Sequence, residues 1–138
     1  MVVRLKVKTR NDRLPGFVYI FRDARSNLCK IGLSRSPHKR RYYLSREYGT
    51  QLEVVAIVPT LNMLWTEELM HEAYKAERCY RHPELNGYTE WFRGGAIGMQ
   101  ICLWLTAGFV NLVYGVVGVG AICGAIGGAI GLAYLILR

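Results

Sequence analysis

Apolar and basic residues alternate over residues 3–8, the period of a strand with one face in water, and Pro15-Gly16 breaks the chain before the next element. Two short β-rich runs follow, 17–21 (FVYIF) and 28–33 (LCKIGL). The six residues between them form a polar loop of hairpin length, so the runs are expected to pair antiparallel. Ser36 before Pro37 reads as an N-cap with proline at the first helical position. Tyr43 and Leu44 give that helix an apolar side, and Gly49 is expected to end it after Tyr48. Residues 52–58 read as a third strand stopped by Pro59. Thr66-Glu67-Glu68 then opens a second helix, with Leu69, Met70, Ala73 and Tyr74 at helical spacing, that ends near Cys79. Residues 81–87 read as loop, and Glu90-Trp91-Phe92 as a short strand or turn against the sheet. The predicted order is β, β, α, β, α. It implies an α+β domain with a small, mostly antiparallel three-stranded sheet flanked by helices.

The pattern then changes character. Residues 94–137 contain no charged side chain, and only Gln100, Thr106, Asn111 and a few Tyr and Trp interrupt the apolar run. A single straight helix over this stretch is about 66 Å long, roughly twice the hydrocarbon thickness of a bilayer. A transmembrane hairpin is therefore expected, with spans over 97–112 and 116–137 and a turn near Asn111 to Gly115. A helix buried in the soluble domain is the alternative, but a domain of 93 residues is too small to wrap 44 uncharged ones. The expected division is a basic extension (1–15) that can add an edge strand, a soluble domain (16–93) and a Gly-rich membrane segment (94–138). No secretory signal pattern opens the sequence. Basic residues flank the first span and Arg138 follows the second, so a multi-pass topology in a bacterial inner membrane is expected, both ends cytoplasmic. Gly120, Gly124 and Gly128, with Gly127 and Gly131 on an adjacent stripe, offer a close-packing surface to the first span or to another copy in a homo-oligomer.

Composition sharpens this division. The net charge of +8 comes almost wholly from residues 1–93, which hold 17 of the 18 Lys and Arg and all 10 Asp and Glu, whereas 11 of the 15 glycines lie beyond them. Eight basic residues crowd between Arg22 and Arg46, with Tyr42, Tyr43 and Tyr48 interleaved. Arg22, Arg35, Lys39, Arg41 and Arg46 are the candidates for a sequence-independent, salt-sensitive grip on a DNA backbone, and nothing in the pattern suggests base reading. Anionic lipid headgroups suit the same charges. The four cysteines form no CxxC pair and are expected as free thiols.

The residues themselves then carry a resemblance. Gly16-Phe17-Val18-Tyr19-Ile20 is followed by Lys30-Ile31-Gly32-Leu33-Ser34, by Arg40 eight residues after that glycine, by Glu67-Glu68-Leu69-Met70-His71, and by Tyr88-Thr89-Glu90-Trp91-Phe92. Over residues 16–93 the chain resembles the GIY-YIG nucleases. More narrowly it resembles the branch first described from a bacteriophage reading frame and a fungal meiotically up-regulated gene. The resemblance implies hydrolysis of a phosphodiester assisted by Tyr19, Arg40 and Glu67, with one Mg²⁺ or Mn²⁺ held by Glu67, or by Glu68 in the neighbouring register. Lys30, where the superfamily's second motif has tyrosine, would contact phosphate or lower the pKa of Tyr19, and His71 would share proton transfer. These roles are chemically sensible. A guanidinium offers two parallel donors to a phosphate gaining charge, and a lone carboxylate leaves most of a Mg²⁺ shell to water and phosphate oxygens. Tyrosine ordinarily titrates near ~10, so it acts as a base only with help and otherwise orients the nucleophile.

Three functions follow as expectations. The first is a membrane-anchored, metal-dependent DNA endonuclease that meets incoming phage or plasmid DNA. The second is a catalytically silent nucleic-acid-binding module tethered to the membrane, and the third is a glycine-zipper membrane protein that oligomerises.

Overall fold

A computed structural model of the chain describes residues 14–80 and 90–136, with side chains as far as residue 118. The expected edge strand over 3–8 and the loop over 81–87 lie outside the described residues. The elements are β1 (Gly16–Asp23), β2 (Cys29–Ser34), α1 (Pro37–Tyr48), β3 (Leu52–Thr60), α2 (Met63–Ala73), β4 (Arg78–Cys79), β5 (Trp91–Phe92) and α3 (Ala96–Ile136). They form an α+β domain on one antiparallel sheet of order β3-β1-β2-β5-β4.

Among the described residues the sheet has five strands rather than the expected three. The added pair, β4 and β5, is two residues long in each strand, too short to leave a period in the sequence. Two boundaries also move. β3 continues through Pro59 to Thr60 because among the described residues it is an edge strand paired only with β1, where a missing N–H is tolerated. α2 starts one turn earlier than expected, at Met63, because the Asn62 side chain accepts from the Trp65 N–H. Gly49 ends α1 as expected, at φ +60, with its N–H bonded back to the Arg46 carbonyl.

Alternation along the strands sorts side chains onto two faces. Val18, Ile20, Ile31, Leu33, Val58 and Phe92 face α2 and α3, while Tyr19, Phe21, Leu44, Tyr48, Leu52 and Trp91 form a second core under α1. At the tip of the β1–β2 hairpin the buried Asp23 carboxylate accepts from the Arg25 N–H and from the hydroxyls of Ser26 and Thr50, locking the turn to the start of β3.

The largest departure is α3. It runs as one helix from Ala96 to Ile136, and the turn expected near Asn111 to Gly115 is helical. The polar residues that suggested a turn tether the helix to the domain instead. Asn111 accepts from the Leu61 N–H (2.7 Å) and donates to the Pro59 carbonyl (3.2 Å), and the Tyr114 hydroxyl accepts from Asn62. Met99, Leu103, Ala107 and Val110, one stripe at helical spacing, are fully buried against the sheet and α2. The core therefore extends past residue 93 into the apolar segment. A continuous helix lacks the hairpin's return, so the two-span reading and the shared cytoplasmic side of both ends do not hold. By length and composition one helix, Ala96–Gly118 among the described residues, is able to cross a membrane. The Gly120, Gly124 and Gly128 surface lies beyond the described side chains.

Candidate active site

Tyr19 sits mid-strand in β1, directly opposite Gly32 of β2. Its ring stacks on Phe21 with centroids 4.1 Å apart, and its hydroxyl lies across the Gly32 backbone, where an added Cβ would come within 2.5 Å of the oxygen. The glycine of the second motif is thus the space that the tyrosine of the first occupies. Gly32→Ala should displace the phenol, and a shift on the order of 1 Å at a reacting centre costs about a hundredfold in rate. For a site that cuts phosphodiesters, the expected outcome is a cleavage rate down by that factor with DNA affinity unchanged, read by pairing a nicking assay with a binding titration.

Around the buried phenol, groups from three further parts of the chain converge. The Arg40 guanidinium, from the first turn of α1, lies close enough to act on it, as do the carboxylates of Glu90, just before β5, and Glu67, from α2. Burial raises the Tyr19 pKa above its ordinary value, more than Arg40 lowers it, and both carboxylates push the same way as burial. Tyr19 therefore stays a neutral phenol at physiological pH. In that form it is able to donate a hydrogen bond or orient a neighbouring group.

Glu67 faces inward and is almost fully buried, whereas Glu68 is exposed. Of the two registers, only Glu67 belongs to this cluster. His71, one turn further along α2, has its Nε2 3.4 Å from the Ile31 carbonyl and its ring tilted against Phe92 at 5.2 Å. Its described contacts lie with β2 and β5 rather than with the phenol.

Lys30 departs most from expectation. Its side chain is fully buried, its Nζ lies 3.0 Å from Glu90 Oε2, and the ammonium stands over the Trp91 and Tyr48 rings at 5.4 and 5.8 Å. A buried ammonium committed to a carboxylate and two rings is not placed to grip phosphate, nor is the Tyr19 pKa lowered. Glu90 is the site residue that sequence reasoning missed. The signal was present in the Tyr88-Thr89-Glu90-Trp91-Phe92 motif, of which Tyr88 and Thr89 lie outside the described residues.

The basic candidates divide between the two sides of the sheet. Arg35 is exposed at the start of the β2–α1 turn, and Lys39 and Arg46 are exposed on α1, each over a neighbouring tyrosine ring, Tyr43 and Tyr42. Arg41 is half-buried beside a depression of about 490 Å³ that Arg25 also lines. Arg22 does not join them. It points to the opposite face of the sheet, where Glu53, directly across on β3, accepts from its Nη2 at 2.6 Å. Among the described residues no three His, Cys, Asp or Glu gather as a metal cluster, and Cys29, Cys79 and Cys102 are free thiols.

This arrangement of strands, helices and motif residues matches a known family over most of its length: the model of the T5orf172 domain fits residues 16–103. The chain belongs to the T5orf172 domain family. This is the GIY-YIG-like branch that the motifs resemble, and its character fits a nuclease-like or DNA-binding module. No curated protein and no solved structure matches the chain. The T5orf172 match runs ten residues past 93 and takes in Met99 and Leu103, in agreement with a domain whose core includes the start of α3.

Proposed function

We propose that this T5orf172 protein is a metal-dependent DNA endonuclease held at a membrane by α3. The observation that carries the reading is the convergence on one buried phenol of Arg40, Glu67 and Glu90, three residues distant in sequence and brought by α1, α2 and the start of β5. Such a set suits phosphodiester hydrolysis. Arg40 offers parallel donors to the phosphate oxygens as negative charge builds on them. Tyr19, held protonated, orients the attacking water or a phosphate oxygen through its hydroxyl. Lys30 and Glu90 fix the floor of the site, the ion pair keeping β5 registered on β2.

A carboxylate such as that of Glu67 fits a hard divalent ion better than a soft one, because Mg²⁺ or Mn²⁺ takes oxygen ligands and retains water where protein ligands are few. Glu67 would hold it, and the ion when bound would polarise the scissile phosphate. Arg35, Lys39 and Arg46, flanked by Tyr42 and Tyr43, form the face on which a nucleic-acid backbone would lie. The uncharged helix supports anchoring in a bacterial inner membrane with the basic domain on the cytoplasmic side, which sends the far end of α3 across. A nuclease placed there meets DNA as it enters, so exclusion of phage or plasmid DNA is the role we assign.

Relaxation of supercoiled plasmid by the full chain in detergent, with Mg²⁺ or Mn²⁺ and stopped by chelation, tests this reading. The burial of Lys30, where the superfamily's second motif has tyrosine, favours a second reading, a catalytically silent DNA-binding module. Salt-sensitive binding without metal-dependent relaxation would select it.

A further inference from the structure

We propose that the bilayer-spanning part of α3 is its second half, residues 115–137, and that Trp65 and Tyr114 mark the membrane surface at the end of the domain. This rests on the reading of α3 as a membrane anchor and fixes which residues do the anchoring. Among the described residues, Ala96–Gly118 is by length and hydropathy able to cross a membrane. The packing speaks against that choice. Met99, Leu103, Ala107 and Val110 are fully buried in the domain core, and Asn111 is hydrogen-bonded to the backbone at the end of β3 and just beyond it. Putting residues 96–118 across the hydrocarbon would carry β3 in with them. Among the described residues β3 is the edge strand of the sheet, and lipid cannot satisfy backbone groups left open along such an edge. It would also carry in α2 with Glu67, Glu68 and Glu72.

Beyond Tyr114 the constraint disappears. The 23 residues 115–137 carry no charge, and the helix runs on through Ile136. At ~1.5 Å per residue they cover about 34 Å, the thickness of a hydrocarbon core of about 30 Å with slight tilt. The point of exit is marked by aromatic rings. Trp65 from α2 lies 5.9 Å from both Phe109 and Tyr114, and Trp65, Val113, Tyr114 and Val117 line a depression of about 430 Å³ at the base of the domain. Indole and phenol groups, part apolar and part hydrogen-bonding, favour the headgroup level. The hydrogen bond from Asn62 to Tyr114 ties this ring pair to the domain. In this register the first half of α3 is a shaft beside the domain, outside the bilayer.

Charge substitution in the full chain, expressed in bacterial membranes and tested by alkaline carbonate extraction, decides the register. Ile101 and Leu105 are exposed on the outer side of the shaft, away from the core. Ile101→Lys and Leu105→Lys should stay in the pellet like the parent chain. Ile122→Lys and Ile126→Lys should be extracted, with the inserted-to-extracted ratio down about a hundredfold, the size expected for a lysine at a span's centre. The uncharged Leu105→Ala and Ile126→Ala should both remain inserted. Extraction of the first pair with retention of the second would place the span at 96–118 and overturn the inference. Loss of all four would put lipid against the shaft and overturn it too, as would retention of all four. A parent chain that is itself extracted would remove the anchoring reading and this register with it. Plasmid relaxation by that same chain would still stand as a separate result.

Discussion

A chain ending after Gly95 is expected to lose its fold altogether. The motifs end at Phe92 and no charged residue follows Arg93 until Arg138, so the sequence invites that cut. The cut removes Met99, Leu103, Ala107 and Val110, all fully buried, and exposes the faces of Val18, Ile20, Val58 and Met70 that they cover. Burying a Met, Leu or Val side chain is worth about 1.5–3 kcal/mol each. The three larger residues alone thus contribute an amount comparable to the whole stability of about 5–15 kcal/mol typical of a domain. The Asn111 and Tyr114 tethers go as well. In denaturant titrations followed by circular dichroism, residues 1–95 should show no cooperative transition and residues 1–118, in mild detergent, should show one. Cooperative unfolding of the shorter chain would mean that α3 only leans on a domain already complete.

The second large effect is expected at Lys30 and Glu90. The lysine side chain has no exposure, so Glu90→Gln leaves its ammonium buried without the facing carboxylate, and breaking a buried pair from one side costs about 3–5 kcal/mol. The double variant Lys30→Met, Glu90→Gln removes the charge along with its partner and lets the methionine pack against Trp91 and Tyr48. It should recover most of the loss. The coupling in a double-mutant cycle measures the pair itself. Additive losses would show that the two charges are held independently.

The sequence made some parts of this molecule legible and concealed others for physical reasons. Gly49, Ser36-Pro37 and the β-rich runs of β1 and β2 are local signals with local causes, and the structure places α1 and the hairpin where they point. The grouping of Tyr19, Arg40 and Glu67 was legible only through motif resemblance, because no local rule brings a mid-strand tyrosine to residues on two helices. β4 and β5 were illegible because two residues have no period. Arg22 misled because proximity along a strand does not mean a shared face: alternation sends it across the sheet to Glu53. Asn111 and Tyr114 misled differently. A polar residue inside an apolar run signals a turn when nothing else is near, and a docking contact when a β-strand edge with open hydrogen-bonding groups lies alongside. That choice depends on tertiary packing, as does the inward position of Lys30.

The central claim is that this T5orf172 domain cuts phosphodiesters with Arg40 and Glu67. The most direct measurement compares plasmid relaxation by the full chain with Arg40→Ala and Glu67→Gln, purified identically, in Mg²⁺ or Mn²⁺. Removing one transition-state donor costs about a hundredfold to a thousandfold, and both variants should lose at least that much while still folding and binding DNA. Equal relaxation by all three proteins would assign the activity to a contaminant and contradict the account.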